Sequence, residues 1–271
     1  MKIGACVSSV PLWKTVAEIG YDYVEANFSK IAAMSDDEFE EAKALLSEIG
    51  IRAEVCNGFF PGGFLLYAYD PVTQTATKQF EEIKETVYRY THHGFARAKQ
   101  LGTTVVVIGS GGPRRIPEDL SAELALQQLG EIFSVCADVA ADYGITVTVE
   151  PLNKKECNVI TTLSESLDLI DRVAHPNLLA MDDFYHSHAE EEPLATLDRA
   201  GDRLRHVHLC RPDRYSCTLA DYDELSPYVW YLKALGYDAR ISFEGKNQNN
   251  DAPQALRDTY ELFKHFRNIE A

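Results

Sequence analysis

Three stretches in the second half of the chain carry residues able to do chemistry: ITVTVE closes on Glu150, RHVHLC holds His206, His208 and Cys210, and RISFE closes on Glu244. In each, apolar and polar residues alternate with the period of two that marks a strand. Val147, Val149, Val207, Leu209, Ile241 and Phe243 then share one face, while Thr146, Thr148, Glu150, His206, His208, Cys210, Ser242 and Glu244 share the other. A carboxylate facing inward at the end of an apolar strand is costly unless it is paired, hydrogen-bonded or bound to a metal. A fourth run, LLAMDD, supplies an aspartate at its end, Asp182 or Asp183. Three carboxylates and one imidazole nitrogen make a hard, mostly oxygen donor set for one divalent metal ion, Mn²⁺ foremost, with Mg²⁺, Co²⁺ or Zn²⁺ as alternatives.

For those ends to meet, the elements carrying them must be parallel neighbours. Strand patterns cover Lys2–Cys6, Tyr23–Asn27, Arg52–Asn57, Thr104–Gly109, Ile145–Glu150, Leu178–Asp183, Arg205–Cys210 and Arg240–Glu244. Helical periodicity fills Asp36–Glu48, Thr77–Gln100, Ala122–Tyr143, Leu163–Val173 and Pro253–Phe266. Gly50, Gly102, Gly144 and Gly236 each follow a helical run, as C-caps do. Eight units of about 34 residues match the size of a βαβ building block, and no Pro- or Ser-rich linker divides them. The expectation is an α/β fold, a (β/α)8 TIM barrel forming one domain over residues 1–271, with its active site at the C-terminal ends of the strands. An open doubly wound sheet would carry a glycine fingerprint after its first strand; that turn here reads CVSSVP.

Several other features invite a functional reading and are given a structural one. Gly109–Gly112 lacks the Lys-Ser/Thr ending of a nucleotide loop and reads as a tight turn at the barrel rim. Arg114 and Arg115 read as solvated rim charges, and His92 and His93 as surface residues. Trp13, Phe59, Phe60, Phe64 and Tyr67, placed in loops after strands one and three, either wall a substrate pocket or cover the barrel mouth.

Taken in order, these motifs resemble the xylose isomerase-like barrels, the family of sugar isomerases and ketose 3-epimerases. The resemblance rests on the GSGG turn at Gly109–Gly112, on Glu150-Pro151-Leu152-Asn153 with Glu156 six residues past Glu150, on Asp183 with His186, on His208 with Arg214, and on Glu244 in ISFEG. It covers most of the chain and is strongest from Val105 onward. It implies metal ligands Glu150, Asp183, His208 and Glu244, substrate contacts from Glu156, His186 and Arg214, and the dimers or tetramers common in the family. It also favours Asp183 over Asp182, because Asp183 has the family's spacing to Glu150 and to His186. The implied activity is a metal-dependent isomerase or epimerase acting on a small-molecule sugar or sugar phosphate. A divalent ion gripping two neighbouring substrate oxygens acidifies the adjacent C–H and stabilises the enediolate. Glu150 and Glu244, each a candidate ligand with an oxygen to spare, are then the acid/base pair.

Charge and composition narrow the alternatives. With 42 acidic against 26 basic residues the chain carries −16, which opposes nucleic acid and anionic membranes as partners. The apurinic-site endonuclease branch of the same fold needs additional histidines, whereas strands two, three and four end on Asn27, Asn57 and Gly109. A catalytically idle sugar-binding barrel, or a subunit acting on sugar derivatives, stays open. Charges at Lys14 and Glu18 interrupt the N-terminal apolar run too early for a signal peptide, and no stretch reaches the roughly 20 apolar residues of a membrane span. The six cysteines form no CxxC pair and read as reduced thiols of a cytoplasmic protein.

Overall fold

The computed structural model describes residues 1–247 and 251–269. Eight parallel strands close a barrel: β1 (Lys2–Cys6), β2 (Tyr23–Asn27), β3 (Val55–Asn57), β4 (Val105–Ile108), β5 (Thr146–Val149), β6 (Leu178–Asp183), β7 (Leu204–Leu209) and β8 (Arg240–Phe243). Each pairs with its neighbours in sequence, and β1 closes the ring against β8 with Lys2 opposite Arg240 and Ala5 opposite Phe243. The fold is the (β/α)8 TIM barrel. Several strands are shorter than their sequence patterns, because the terminal residues leave the ladder to begin loops; Glu150 and Glu244 thus stand just beyond the last paired residues of β5 and β8.

Among the described residues the helices around the strands include α1 (Pro11–Ile19), α2 (Asp36–Ile49), α3 (Gln79–Gln100), α4 (Ala122–Asp142), α5 (Leu163–Val173), α6 (Thr196–Ala200), α7 (Tyr222–Ala234) and α8 (Ala252–Arg267). Trp13, expected in a loop, lies in α1 with its indole N–H donated to the Val7 carbonyl. The glycines expected as caps, Gly50, Gly102, Gly144 and Gly236, all have positive φ. A capping box of Ser35 and Glu38 starts α2, and the hydroxyls of Ser121 and Thr162 cap α4 and α5. By length and composition alone α4 is apolar enough to cross a membrane, but more than half of it is buried and it packs on α3, α5 and β5.

Alternation along the strands sorts the core into two layers. Outward residues such as Ile3, Val24, Val106, Val147, Val149, Val207, Leu209, Ile241 and Phe243 join the helices in one large cluster. Tyr23, Val55, Val105, Val107 and Met181 form a separate plug inside the barrel. Beneath it Glu54 ties Lys2 to Arg240. Above the plug the C-terminal ends of the strands carry Glu150, Asp183, His208 and Glu244, the usual place for a barrel's chemistry.

Candidate active site

His208 is the hub of the site. Fully buried at the end of β7, it directs Nδ1 towards Glu150 Oε1 (3.3 Å), Glu244 Oε2 (3.5 Å) and Asp183 Oδ2 (3.7 Å). One donor atom from each of Glu150, Asp183, His208 and Glu244 lies within 4.8 Å of the others. Strand β6 puts Asp183 into this group through a shift in its pairing with β7 between Ala180 and Met181. Asp183 Oδ1 accepts the backbone N–H of Tyr185 and starts the short helix Phe184–Ala189, leaving Oδ2 for the centre. Asp182 points the other way and accepts the hydroxyls of Ser187 and Tyr228.

The remaining residues implied by the motifs surround that centre. Arg214 pairs with Glu156, lies 3.5 Å from Glu244 Oε2 and stacks over the Tyr185 ring at 4.7 Å. Its backbone is left-handed (φ 66°), a strained conformation for a side chain this large, and it is pinned by bonds from its N–H to the Arg211 carbonyl and from the Lys246 N–H to its own carbonyl. His186 is buried, and its Nδ1 accepts both the backbone N–H (3.0 Å) and the side-chain amide (2.9 Å) of Asn153. Its proton therefore sits on Nε2, which lies 3.7 Å from Asp183 Oδ2 and has no hydrogen-bond partner.

Electrostatics and unmet hydrogen bonding both favour a cation here. Asp183 Oδ2 and Glu244 Oε2 are buried acceptors with no hydrogen bond of their own, Arg214 standing 3.5 Å from the latter, an arrangement that a divalent ion would satisfy. Burial raises the Glu150 carboxyl above the usual range, only partly offset by its hydrogen bond with His208. Burial also opposes ionisation of Asp183, but the Nε2–H edge of His186 together with His208 and Arg214 outweighs it and holds that carboxyl below the usual range. For His208 burial is likewise outweighed, here by Glu25 and Glu244, and the imidazole is held well above its ordinary value. A metal would compete with a proton for the Nδ1 lone pair that faces the carboxylates. Cys6 reaches within 3.9 Å of His208 Nε2, yet burial pushes its thiol up, so the donor set remains oxygen and imidazole. The residues fit a hard divalent ion.

The family model described as xylose isomerase-like TIM barrel matches residues 13–266. The chain belongs to this family. The L-ribulose 3-epimerase of Methylomonas sp. (strain DH-1) is 30% identical over 84% of this chain and 75% of its own length. The 3-dehydro-D-guloside 4-epimerase of Escherichia coli (strain K12) is 28% identical over 91% of this chain and 90% of its own. Among solved structures, a D-allulose 3-epimerase from Methylomonas sp. superposes with a TM-score of 0.80 at 22% identity, covering 98% of each chain. These relatives are sugar epimerases.

Within this xylose isomerase-like barrel, three site residues escape the sequence reading. Glu25, in the inward phase of β2 and fully buried, accepts from both His206 and His208. Gly109 is more than a rim turn, since a Cβ there would stand 1.5 Å from Glu150 Oε2. Arg114 is not a solvated rim charge: it is 1% exposed and donates to the carbonyls of Ile108 and Glu150, joining the ends of β4 and β5. Arg115 is exposed as expected, as are His92 and His93. Phe59 and Trp13 are buried in the core, where the Phe59 ring centroid lies 4.6 Å from that of Phe28. Asn57 donates to Glu244 Oε1 and Asn27 caps the helix Phe28–Ala33, so the ends of β2 and β3 support neighbouring groups.

Proposed function

We propose that this chain is a divalent-metal-dependent sugar epimerase that inverts a carbon beside a carbonyl by moving a proton through an enediolate. The observation that carries the proposal is the convergence of Glu150, Asp183, His208 Nδ1 and Glu244 at successive strand ends, two of them with buried oxygens that make no hydrogen bond. Glu150, Asp183, His208 and Glu244 are the proposed ligands, with Mn²⁺ the expected ion and Mg²⁺, Co²⁺ or Zn²⁺ able to replace it. The bound ion would polarise the substrate's carbonyl and an adjacent hydroxyl.

The chain's own groups handle the proton. Glu150 and Glu244 descend from β5 and β8, with β6 and β7 between them, and are assigned as base and acid on two sides of the sugar. Asn57 steadies Glu244 through Oε1 at 2.8 Å. Gly109 leaves the space that Glu150 Oε2 fills. His186 offers its free Nε2–H to a substrate oxygen, and Arg214 and Glu156 grip the hydroxyls around it. Six free thiols, five of them buried, suit the reducing cytoplasm.

The test is hydrogen exchange from D₂O into carbon-bound positions across a panel of ketoses, aldoses and keto-glycosides, with Mn²⁺ present. Exchange and epimerisation of at least one sugar are expected. A protein that binds no divalent ion and exchanges no substrate hydrogen overturns the proposal.

A further inference from the structure

We propose that Glu25 is a positioning residue for His208: it fixes which ring nitrogen faces the carboxylates and so prepares the site for its ion. The inference rests on the metal-site reading above.

Glu25 lies in the middle of β2 in the same inward phase as Tyr23 and Asn27, and it is wholly buried at the barrel axis. Its two oxygens are divided between two histidines, Oε2 to His206 Nε2 and Oε1 to His208 Nε2, each at 2.8 Å. An ionised carboxylate only accepts, so each imidazole must present Nε2–H to it. His208 is then left with Nδ1, the atom that faces Glu150, Asp183 and Glu244. The two rings stand at 90° with centroids 4.9 Å apart. His206 thereby holds the carboxylate from a second direction and keeps it from swinging away from His208. Tyr23, the nearest inward residue on the same strand, bonds Ser242 instead.

The cost of this arrangement argues for a purpose. A charge buried in a barrel core is commonly replaced by apolar residues with no loss of stability, and Tyr23, Val55, Val105, Val107 and Met181 already pack as an apolar cluster inside the same barrel. What the carboxylate supplies, and a leucine would not, is the orientation and tautomer of His208. Partners of this kind, hydrogen-bonded to the far nitrogen of a metal-binding histidine, typically contribute 10- to 100-fold, on the order of one to two decades, to metal affinity.

The test compares Mn²⁺ affinity by calorimetry in the parent chain and in Glu25→Gln, with melting of the metal-free proteins measured alongside. A carboxamide must turn its NH₂ towards one of the two imidazoles, so affinity is expected to fall by roughly 10- to 100-fold. In the Zn²⁺-loaded parent, ¹⁵N histidine spectra should show His208 protonated on Nε2. If Glu25→Gln lowers the melting temperature but leaves Mn²⁺ affinity at the parent value, Glu25 is structural and the inference is overturned while the metal-site reading stands. A parent that binds no divalent ion overturns both. Should the Gln variant not fold, Glu25→Asp serves, because the shorter side chain cannot reach both rings: reduced Mn²⁺ affinity supports the assignment and unchanged affinity overturns it.

Discussion

Gly109 and Glu150 share one volume: a Cβ at position 109 would come within 1.5 Å of Glu150 Oε2 and 2.7 Å of its carboxyl carbon. The end of β4 is thus shaped for the carboxylate of β5, and a glycine is needed there for space. Gly109→Ala should fold, since no left-handed backbone is demanded at that position, but it must displace the Glu150 carboxylate. Mn²⁺ affinity and epimerisation should both drop by at least about tenfold, as expected for a misplaced ligand and proton carrier. Calorimetry and steady-state assays of the variant check this.

Asp182 and Asp183 are adjacent in sequence and opposite in role. Asp183→Asn should remove most divalent-ion binding, because Oδ2 faces His208 Nδ1. Asp182→Asn should leave ion binding near the parent level, since both of its oxygens are engaged by Ser187 and Tyr228. Equilibrium dialysis of the two variants tests the pair, and the reverse ranking would reassign the ligand.

That pair also shows what could be read in the sequence and what could not. Clean alternation in ITVTVE and RISFE placed Glu150 and Glu244 directly, because a period of two leaves one phase for each face. LLAMDD alternates poorly, and its pairing shift between Ala180 and Met181 has no signature in residue types, so Asp183 needed the family spacing. Glu25 carries the same signal as Glu150, a carboxylate in the inward phase of an apolar strand, but it sits mid-strand, away from the strand ends where a barrel's chemistry collects. Arg114 was illegible for another reason: its acceptors are the carbonyls of Ile108 and Glu150, and backbone acceptors look alike in every sequence.

The proton on His186 depends on Asn153. Two donors from that residue occupy Nδ1, and its side-chain orientation is fixed by Oδ1 accepting the Lys155 N–H at 3.1 Å. Asn153→Asp replaces one of the two donors to Nδ1 by an acceptor and so weakens the preference for the tautomer that presents Nε2–H to substrate. Turnover should fall by about tenfold or more, with Mn²⁺ affinity nearly unchanged. A parallel loss of ion binding would place Asn153 in the ion's support instead.

Stability at the opposite end of the barrel should follow Glu54. Burial opposes its charge, but Lys2 and Arg240 outweigh burial and lower its carboxyl below the ordinary 4.5. A folded-state value below the unfolded one means that the stabilisation is present above the unfolded value and is lost as pH falls through the folded one. Glu54→Gln should therefore cost about 1 kcal/mol in urea denaturation at neutral pH, and the difference from the parent should shrink as the pH is lowered below 4.5. Activity should be unaffected, because the interior plug separates Glu54 from the strand ends.

The assignment of Glu150 and Glu244 as the acid/base pair makes the most direct prediction. Each combines an oxygen directed at the His208 Nδ1 centre with a carboxylate able to carry a proton. Glu150→Gln and Glu244→Gln each keep an oxygen donor of similar size while removing that proton carrier. General acid/base groups contribute roughly 10²- to 10⁴-fold in rate, so each variant should lose at least that much solvent-hydrogen exchange into the substrate carbon while remaining folded. Metal content must be measured on the same samples, since a variant that has lost its ion would be inactive for a different reason. Two Gln variants that retain the ion and still exchange hydrogen near the parent rate would show that the proton travels by another route. A parent enzyme that interconverts an aldose and a ketose with no exchange at all would instead indicate a hydride shift between neighbouring carbons, with both glutamates acting only as ligands.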